Sequence, residues 1–484
     1  MARISPARIP ADVTALCRSL VNAGYSAFVV GGAVRDLLLY DASLGMQAKD
    51  FDVATSAHPE DVVRIFGKRR TIPTGIAHGT VTVLCDRLPA AAHGGEPDDG
   101  ELGSSEHKHR HVEVTTFRGE TGYSDGRRPD RIEFIADLVE DLRRRDFTIN
   151  AIAYDPLTDT LHDPFLGQGD LKRGLLRAVG DPSQRFAEDG LRLLRAVRFA
   201  AKLHFQIEPL TRRAFAPALP TLRKVSRERV RDELLRLLSA AHPDIGLKHL
   251  FEPTLELDQV PLPSHFDAEQ SLLSVALPEV CAVLGGSWLA AQRWVQLVID
   301  CPLSLRPAAL LWPLRQACMD PRSALPKDPR RLSSLLDDRL KLPLAQRNHL
   351  TALLLMPEIE YDAAAPWPAP QVRRLLASQP AALTCDWLAL RERALRIEQT
   401  TVRADHLQAL RERIAELQSQ APPLSIAELA ITGQDVLSHF RLPPGPRVGQ
   451  VLRHLLEQVL DDPRRNEREY LLAEAARVLG LTGD

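Results

Sequence analysis

The sequence has no segment that resembles a membrane helix, a secretory signal or a familiar nucleotide-binding loop. No window approaches the roughly 18 to 20 uninterrupted apolar residues that a membrane helix needs. The N-terminal stretch MARISPARIPADVTAL also lacks the apolar core of a secretory signal. Neither the GxxxxGK(S/T) phosphate-binding loop nor the GxGxxG dinucleotide fingerprint is present. We therefore expect a soluble, cytoplasmic protein that is neither kinase-like nor dinucleotide-binding.

Cysteine is scarce, and neither sign of charge is in excess. The six cysteines show no Cys-x-x-Cys spacing, so neither a zinc site nor a disulfide framework is indicated. The 61 basic and 63 acidic side chains nearly cancel, which argues against a protein that coats nucleic acid indiscriminately. Between residues 195 and 231, however, ten Lys or Arg residues accompany only two acids. Such a stretch is either a phosphate-binding surface or a solvated helical face.

The 484 residues fall into a strand-rich part and a helical part, and this predicts an α+β protein. Up to about residue 165, short β-type runs (SAFVVGG, FDVAT, HGTVTVL, HVEVTTF and RIEFIA) alternate with turns and a few helical segments. From DPSQRFAEDGLRLLRAVRFAAKL onward the pattern is helical, with one buried face formed by Leu191, Leu194, Val197 and Ala201. The polar, Gly-rich stretch from residue 86 to 110 is predicted to be a long hairpin loop.

Paired carboxylates in the segment KDFD suggest a metal site. If the segment is a strand, Asp50 and Asp52 project from the same face. Hard divalent cations such as Mg²⁺ prefer carboxylate oxygens, and two-metal sites clamp both oxygens of a phosphoryl transfer. Glu113, in the strand-like HVEVTTF, is positioned to add a third carboxylate from a neighbouring strand. The alternative is a pair of exposed acids on an edge strand.

A Gly-Gly pair upstream favours the metal interpretation. The apolar strand FVV runs into Gly31 and Gly32 and then into a helix that carries Arg35. Free backbone N–H groups at a helix N-terminus attract anions, and glycine allows the backbone to approach phosphates closely. The segment therefore predicts a triphosphate-binding turn, although a simple tight turn has the same sequence.

These motifs together resemble a known family. Their order is similar to that in the bacterial-type (class II) tRNA nucleotidyltransferases and their poly(A) polymerase relatives. The likeness covers about residues 24 to 240, is weaker from about residue 424, and is limited to helical character between 250 and 420. It is carried by GGAVRD, KDFDVATSA, PTGIAHGTVTV, VEVTTFR, DGRRP, DLRRRDFTINAIAYD, RFAEDGLRLLRAVRFAAKL and VSRERVRDELLRLL.

The resemblance implies an architecture and a set of site residues. The fold implied is a polymerase-β-like nucleotidyltransferase head with a mixed sheet, over residues 1–170. A helical neck (171–240), a helical body (241–420) and a helical, tRNA-binding tail (421–484) follow. Asp50, Asp52 and Glu113 would hold two Mg²⁺ ions. The nucleotide would be held by triphosphate contacts from Gly31, Gly32 and Arg35, by phosphate and sugar contacts from Arg145, Asp146 and Asn150, and by the neck residues Asp189, Arg192, Arg195 and Arg198.

The chemistry of the segment EDGLR agrees with a role in reading the base. Asp189 and Arg192 are three residues apart, so on one helix they would share a face and offer an acceptor beside donors. Cytosine and adenine present an amino donor beside a ring-nitrogen acceptor, whereas uracil and guanine present an oxygen acceptor beside an N–H donor. The pair would therefore admit C and A. The alternative is a simple surface ion pair.

The resemblance thus implies a template-independent enzyme that adds CCA to tRNA 3′ ends from CTP and ATP. The segment GYSDGRRP, residues 122–129, resembles the full-length flexible loop of CCA-adding members. The segment PTGIAHGTVTV keeps the tRNA-enzyme pattern where poly(A) polymerases have a Gly-Arg-Arg-Phe type of run. The alternatives are A-only addition, poly(A) synthesis, and a non-catalytic RNA-binding protein. If the protein adds nucleotides to tRNA, tRNA is its expected partner. Binding to DNA or to a membrane is not expected.

Overall fold

The computed structural model describes residues 4–39, 50–86, 109–121, 131–252, 271–285, 287–319, 328–359 and 367–481. Most of the predicted 86–110 loop, the GYSDGRRP loop and the spacer at 40–47 lie outside these residues. The described chain divides into two compact units, residues 1–287 and 288–484.

A seven-stranded mixed sheet organises the first unit. Its order is β3-β4-β5-β2-β1-β8-β9. All neighbouring strands in it are antiparallel except β2 and β5, which are parallel. Two two-stranded sheets, β6-β7 and β10-β11, complete the strand set of the described residues. The strands are β1 (Ala27–Val30), β2 (Asp52–Thr55), β3 (Thr71–Gly75), β4 (Thr80–Asp86), β5 (His109–Thr116), β6 (Arg118–Thr121), β7 (Arg131–Phe134), β8 (Ala153–Asp155), β9 (Thr160–His162), β10 (Leu175–Leu176) and β11 (Gln206–Ile207).

Helices cover the sheet and then dominate the rest of the first unit. The apolar faces of β1, β2 and β8 bury Val30, Ala54 and Ala153 against Leu142 and Phe117. The helices are α1 (Ala11–Asn22), α2 (Gly32–Leu38), α3 (Pro59–Phe66), α4 (Leu138–Arg143), α5 (Gly167–Arg173), α6 (Pro182–Glu188), α7 (Leu191–Leu203), α8 (Pro209–Arg213), α9 (Phe215–Leu222), α10 (Arg227–Leu238), α11 (Pro243–Phe251), α12 (Leu272–Ala276) and α13 (Pro278–Leu284).

The second unit is helical throughout its described residues. Its last three helices bury the apolar side chains of a small core around Val436, Leu455 and Leu471. The helices are α14 (Trp288–Asp300), α15 (Arg306–Met319), α16 (Pro329–Leu340), α17 (Leu344–Leu355), α18 (Ala369–Ser378), α19 (Ala381–Ile397), α20 (Thr401–Ser419), α21 (Gly433–Phe440), α22 (Pro446–Asp461) and α23 (Arg468–Leu479).

The α+β prediction is confirmed, and so are the five predicted strands. The predicted face of α7 is also buried, since Leu191, Leu194, Val197 and Ala201 are each 5% exposed or less. The single helix predicted through EDGLR is wrong, because α6 ends at Glu188 and α7 begins at Leu191. The backbone is extended at Asp189, with φ of −145° and ψ of 106°. Gly190 then allows close packing on α9, since a Cβ atom there would lie 2.4 Å from the backbone nitrogen of Leu222. Among the described residues, no helix is long and apolar enough to cross a bilayer.

Candidate active site

A cavity of about 610 Å³ in the first unit collects twelve of the thirteen residues predicted for the site. The exception is Glu113, which lies on the exposed face of β5 beside it. Nine arginine and lysine side chains and four aspartates take part in the lining. It is formed by Gly31, Gly32, Arg35, Asp50, Asp52, Arg144, Arg145, Asp146, Asn150, Asp189, Leu191, Arg192, Arg195, Arg198, Phe199, Lys202, Arg229 and Arg236.

The acidic end of the cavity is built on neighbouring parallel strands. Asp52 is the first residue of β2 and pairs directly with Glu113 of β5. The condition that Asp50 and Asp52 share a strand is not met, because Asp50 precedes β2 and is exposed, yet Asp50 still lines the cavity. Within the described part of the chain, no three acidic, histidine or cysteine side chains converge into a tight metal-binding group.

Burial and neighbouring carboxylates disfavour the ionised form of Asp52. Burial, then the charges of Glu113 and Asp50, raise the pKa of its carboxyl group to about 6, although Arg145 opposes the shift. Two carboxylates this close disfavour each other's ionised form. A cation bound beside Asp52 would remove that penalty, so the electrostatics of this end suit a metal with oxygen ligands.

The turn between β1 and α2 brings backbone close to the acidic end. Gly31 has φ of 74°, in the region that favours glycine, and immediately precedes the first residue of α2. A Cβ atom at this position would lie 3.0 Å from Nη1 of Arg145 and 3.9 Å from Oδ2 of Asp52. The glycine therefore lets the backbone approach both the Arg145 guanidinium and the Asp52 carboxylate.

A chain of hydrogen bonds holds two of the residues in RRDFTIN that are predicted to bind the nucleotide, Asp146 and Asn150. Arg35 donates from Nη1 to the Asn150 side-chain oxygen at 2.7 Å. Asn150 donates to Oδ1 of Asp146 at 3.0 Å, and Arg195 donates to Oδ2 of Asp146 at 2.8 and 2.6 Å. The chain links Arg35 of α2 to Arg195 of α7, which lies 160 residues further along the sequence, and this rigidifies the wall.

Asp146 is ionised because its partners outweigh burial. Burial alone would raise the pKa of this carboxyl group, but the Arg195 charge and the hydrogen bonds from Asn150 and Arg195 lower it well below its ordinary range. Asp146 in turn raises the pKa of the Arg195 guanidinium. The pair is thus a permanent ion pair at the cavity wall.

Three arginines surround a phenylalanine on α7. The guanidinium carbons of Arg35, Arg195 and Arg198 lie 5.1, 5.5 and 4.2 Å from the centre of the Phe199 ring. Arg198 also donates to Oε2 of the buried Glu233 at 2.5 Å. Cation–π contacts and a buried acceptor hold the guanidinium groups in place. Their remaining donors are available to a ligand.

The two residues predicted to read the base both line the cavity, but they do not share a helix face. Asp189 lies in the break before α7 and accepts a hydrogen bond from Arg229, at 2.6 Å from Nη2 to Oδ2. Arg192, in the first turn of α7, donates to Oε2 of Glu188 at 2.5 Å and to the Arg144 carbonyl at 2.9 Å. Both side chains reach the cavity although the helix break lies between them.

Sequence reasoning missed the contribution of α10. Arg229 and Arg236 line the cavity, and Glu233 is buried behind them. The spacing 229, 233 and 236 places the three on one helical face, and a glutamate on a face otherwise filled by Val230, Leu234 and Leu237 is the signal that could have revealed them. Lys202 and Phe199 of α7 were missed as well.

Comparison with known protein families gives three matches along the chain. Residues 27–177 match the family model described as the poly A polymerase head domain. Residues 204–255 match the probable RNA and SrmB-binding site of polymerase A. Residues 371–475 match a putative tRNA nucleotidyltransferase domain 2.

Full-length relatives are found as well. The CCA-adding enzyme of Geobacillus stearothermophilus is 34% identical over 473 residues, covering 96% of this chain and 95% of that protein. That of Limosilactobacillus fermentum is 33% identical over 460 residues, 95% of this chain and 94% of that protein. The match to the enzyme of Lactobacillus helveticus is 45% over 225 residues, so there the chain spans about half the relative's length (49%) and 46% of its own.

Solved structures agree with this pattern. The crystal structure of the Bacillus stearothermophilus CCA-adding enzyme in complex with CTP is 29% identical, covers 97% of each chain and has a TM-score of 0.61. The Thermotoga maritima CCA-adding enzyme complexed with tRNA is 20% identical, covers 96% of this chain and 94% of that one, and has a TM-score of 0.52. The second likeness concerns the fold alone.

Proposed function

Because this chain belongs to the family of bacterial-type CCA-adding tRNA nucleotidyltransferases, we propose that it adds C, C and A to tRNA 3′ ends, from CTP and ATP and without a nucleic-acid template. The observation that carries the proposal is the cavity, where the carboxylates of Asp50 and Asp52 meet the Gly31 turn and nine basic side chains. A carboxylate end and a cationic wall are the two halves that a metal-bound triphosphate requires.

The family implies use of a divalent metal, and the acidic end suits one. Asp50, Asp52 and Glu113 supply hard oxygen ligands, and a bound cation would offset the burial and the neighbouring carboxylates that raise the pKa of Asp52. We assign two Mg²⁺ ions to these residues. When bound, the ions would lower the pKa of the tRNA 3′ hydroxyl group and neutralise charge on the leaving pyrophosphate.

The protein's own part is to bind and orient the nucleotide. Gly31, Gly32 and Arg35 would contact the triphosphate, and Arg145, Asn150 and Arg195 would fix the phosphates and sugar, with Asp146 holding the last two. Positioning of this kind lowers the barrier because the reacting groups are already aligned. Arg198 would add a further phosphate contact from α7.

Base choice is assigned to Asp189 and Arg192. Asp189 would accept from the amino group of cytosine or adenine, and Arg192 would donate to the adjacent ring nitrogen. UTP or GTP would leave these polar groups unpaired, at a cost of about 1 to 3 kcal/mol per contact. This role does not require the two residues to share a helix.

The wider organisation is proposed on the same basis. The head, neck, body and tail are assigned to residues 1–170, 171–240, 241–420 and 421–484, with tRNA bound through the tail. The match of residues 371–475 to a putative tRNA nucleotidyltransferase domain supports a tRNA-related role for this region. A cytoplasmic location is proposed because the protein would act on tRNA there.

Incorporation assays test the proposal. Purified protein is incubated with Mg²⁺, labelled CTP or ATP, and tRNA that lacks its last three, two or one nucleotides. We expect addition of C, C and A that then stops. Failure to add C would indicate an A-only enzyme, a long A tract a poly(A) polymerase, and no addition a binding protein.

Variants assign the chemistry to the acidic end. Asp50→Ala and Asp52→Ala should abolish incorporation while the fold is retained, since each removes a proposed metal ligand. The matched control is Asp61→Ala, which removes an aspartate that pairs with Arg64 on the surface helix α3, and it should be as active as the unchanged chain. Near-normal turnover in either cavity variant would contradict the metal assignment.

A further inference from the structure

Arg229 of α10 donates two hydrogen bonds to the carboxylate of Asp189, the residue proposed to read the base. Its Nη2 donates to Oδ2 of Asp189 at 2.6 Å, and its Nη1 donates to Oδ1 at 3.3 Å. The backbone N–H of Leu191 donates to the same Oδ1 at 3.0 Å. The Asp189 and Arg229 side chains are 15% and 26% exposed, so the ion pair is partly shielded from water. A two-point contact of this kind fixes the plane of the carboxylate.

These contacts leave the Asp189 carboxylate with few free hydrogen-bond acceptor positions. An ionised carboxylate offers about four acceptor positions. Among the described residues, Leu191 and Arg229 occupy three of these, two on Oδ1 and one on Oδ2. One acceptor position therefore remains on Oδ2, which suits a single amino N–H of a base.

Most of the hydrogen-bond donors of Arg192 are likewise already in use. Its Nη1 donates to the Arg185 carbonyl at 2.9 Å and to Glu188 at 2.5 Å, and its Nη2 donates to the Arg144 carbonyl at 2.9 Å. A guanidinium has five N–H donors. The contacts described leave two of them, one on Nη2 and one on Nε, for a ring nitrogen.

We propose that Arg229 is a positioning residue for base selection, holding Asp189 so that it presents one acceptor beside the donors of Arg192. The inference rests on the proposed function, because it requires Asp189 to read the base. Without Arg229 the carboxylate would regain two acceptor positions and could rotate. It could then accept the ring N–H of uracil or guanine as readily as an amino group, so discrimination would weaken.

Nucleotide discrimination is the measurement that separates this role from a merely structural one. In Arg229→Ala, the ratio of kcat/KM for CTP over UTP, measured on tRNA lacking its last three nucleotides, should fall about tenfold. Arg229→Lys keeps the charge but loses the fork of two donors, so the ratio should fall partway. Thermal unfolding confirms that each variant is folded.

The matched control is Arg236→Ala. Arg236 lines the same cavity from the same helix but pairs with Glu233 and not with Asp189. Losing it removes a cation from the wall, so binding of all nucleotides should weaken alike and the CTP to UTP ratio should stay unchanged. A change in ratio as large as that of Arg229→Ala would contradict the proposal.

A double variant tests whether Arg229 acts through Asp189. If it does, Asp189→Ala with Arg229→Ala should discriminate no worse than Asp189→Ala alone. Additive losses, or unchanged discrimination in folded Arg229→Ala and Arg229→Lys, would overturn the inference. If Asp189→Ala itself keeps normal discrimination, the proposed base-reading role is what fails.

Discussion

The folded protein disfavours the ionised form of the Asp52 carboxyl group, and this should lower the free energy of unfolding at neutral pH. Its pKa is raised from 3.8 to about 6, whereas in the unfolded chain an aspartate titrates near 3.9. The folded protein therefore binds more protons than the unfolded chain between these values, and stability falls as pH rises from about 4 to about 6. At about 1.36 kcal/mol per pKa unit, the full effect is at most about 3 kcal/mol.

The substitution Asp52→Asn removes this penalty without changing the shape of the side chain. With metals chelated, at pH 8, the variant should be more stable than the unchanged chain by about 1 to 3 kcal/mol, the lower value allowing for partial exposure. The gain should shrink below pH 6 and vanish near pH 4, where the aspartate is protonated in both states. Incorporation activity should be lost over the whole range.

The assay is thermal unfolding in EDTA at pH 4, 5, 6 and 8, following the transition of the sheet-containing unit. The control is Asp50→Asn, because Asp50 is exposed and makes only a minor contribution to the Asp52 shift, so its gain should be smaller. A gain that does not depend on pH, or a loss of stability at pH 8, would refute the electrostatic reasoning.

Two further substitutions test the walls of the cavity. Asp146→Asn should destabilise the first unit by about 1 to 3 kcal/mol, because it replaces the charged acceptor of the half-buried Arg195 with a neutral one; thermal unfolding measures this, and unchanged stability would contradict the importance of the pair. Gly190→Ala should destabilise by several kcal/mol, since its Cβ would lie 2.4 Å from Leu222 nitrogen. Gly449→Ala is its control, because no heavy atom lies within 4 Å of that Cβ, and it should unfold at the same temperature or slightly higher.

The sequence predicts the local elements of the site well and their tertiary partners poorly. Glu113 could be placed beside Asp52 because both lie in short β-type runs, and the register of β2 and β5 does pair them. The Gly31 turn was readable because an apolar strand precedes it. In both cases the information lies within a few neighbouring residues, where periodicity and turn chemistry operate.

The segment EDGLR shows what local patterns cannot supply. EDGLR reads as a continuous helix, yet Gly190 packs against the backbone of Leu222, more than 30 residues further on. Likewise, nothing near Asp189 indicates that its partner is Arg229. Contacts between distant residues decide both features, and helix propensity gives way to such packing.

Each of the nine basic side chains that line the cavity contacts a carboxylate, so the wall is better described as ordered than as simply positive. Asp36 pairs with Arg35 and Lys202, Asp141 with Arg144 and Arg145, Glu188 with Arg192, Asp146 with Arg195, Glu233 with Arg198 and Arg236, and Asp189 with Arg229.

These pairings have a consequence for the charge of the ligand. Six carboxylates hold the cations in position, while Asp50, Asp52 and Glu113 make no ion pair among the contacts described, so nine negative groups balance nine positive ones. A bare triphosphate would therefore meet guanidinium donors at one end and unscreened carboxylates at the other. A triphosphate that carries divalent cations would satisfy both ends, because Asp50, Asp52 and Glu113 would hold the cations and the guanidinium donors would hold the phosphate oxygens. The arrangement of charge thus supports the proposal of a metal-bound nucleotide without requiring a net positive charge.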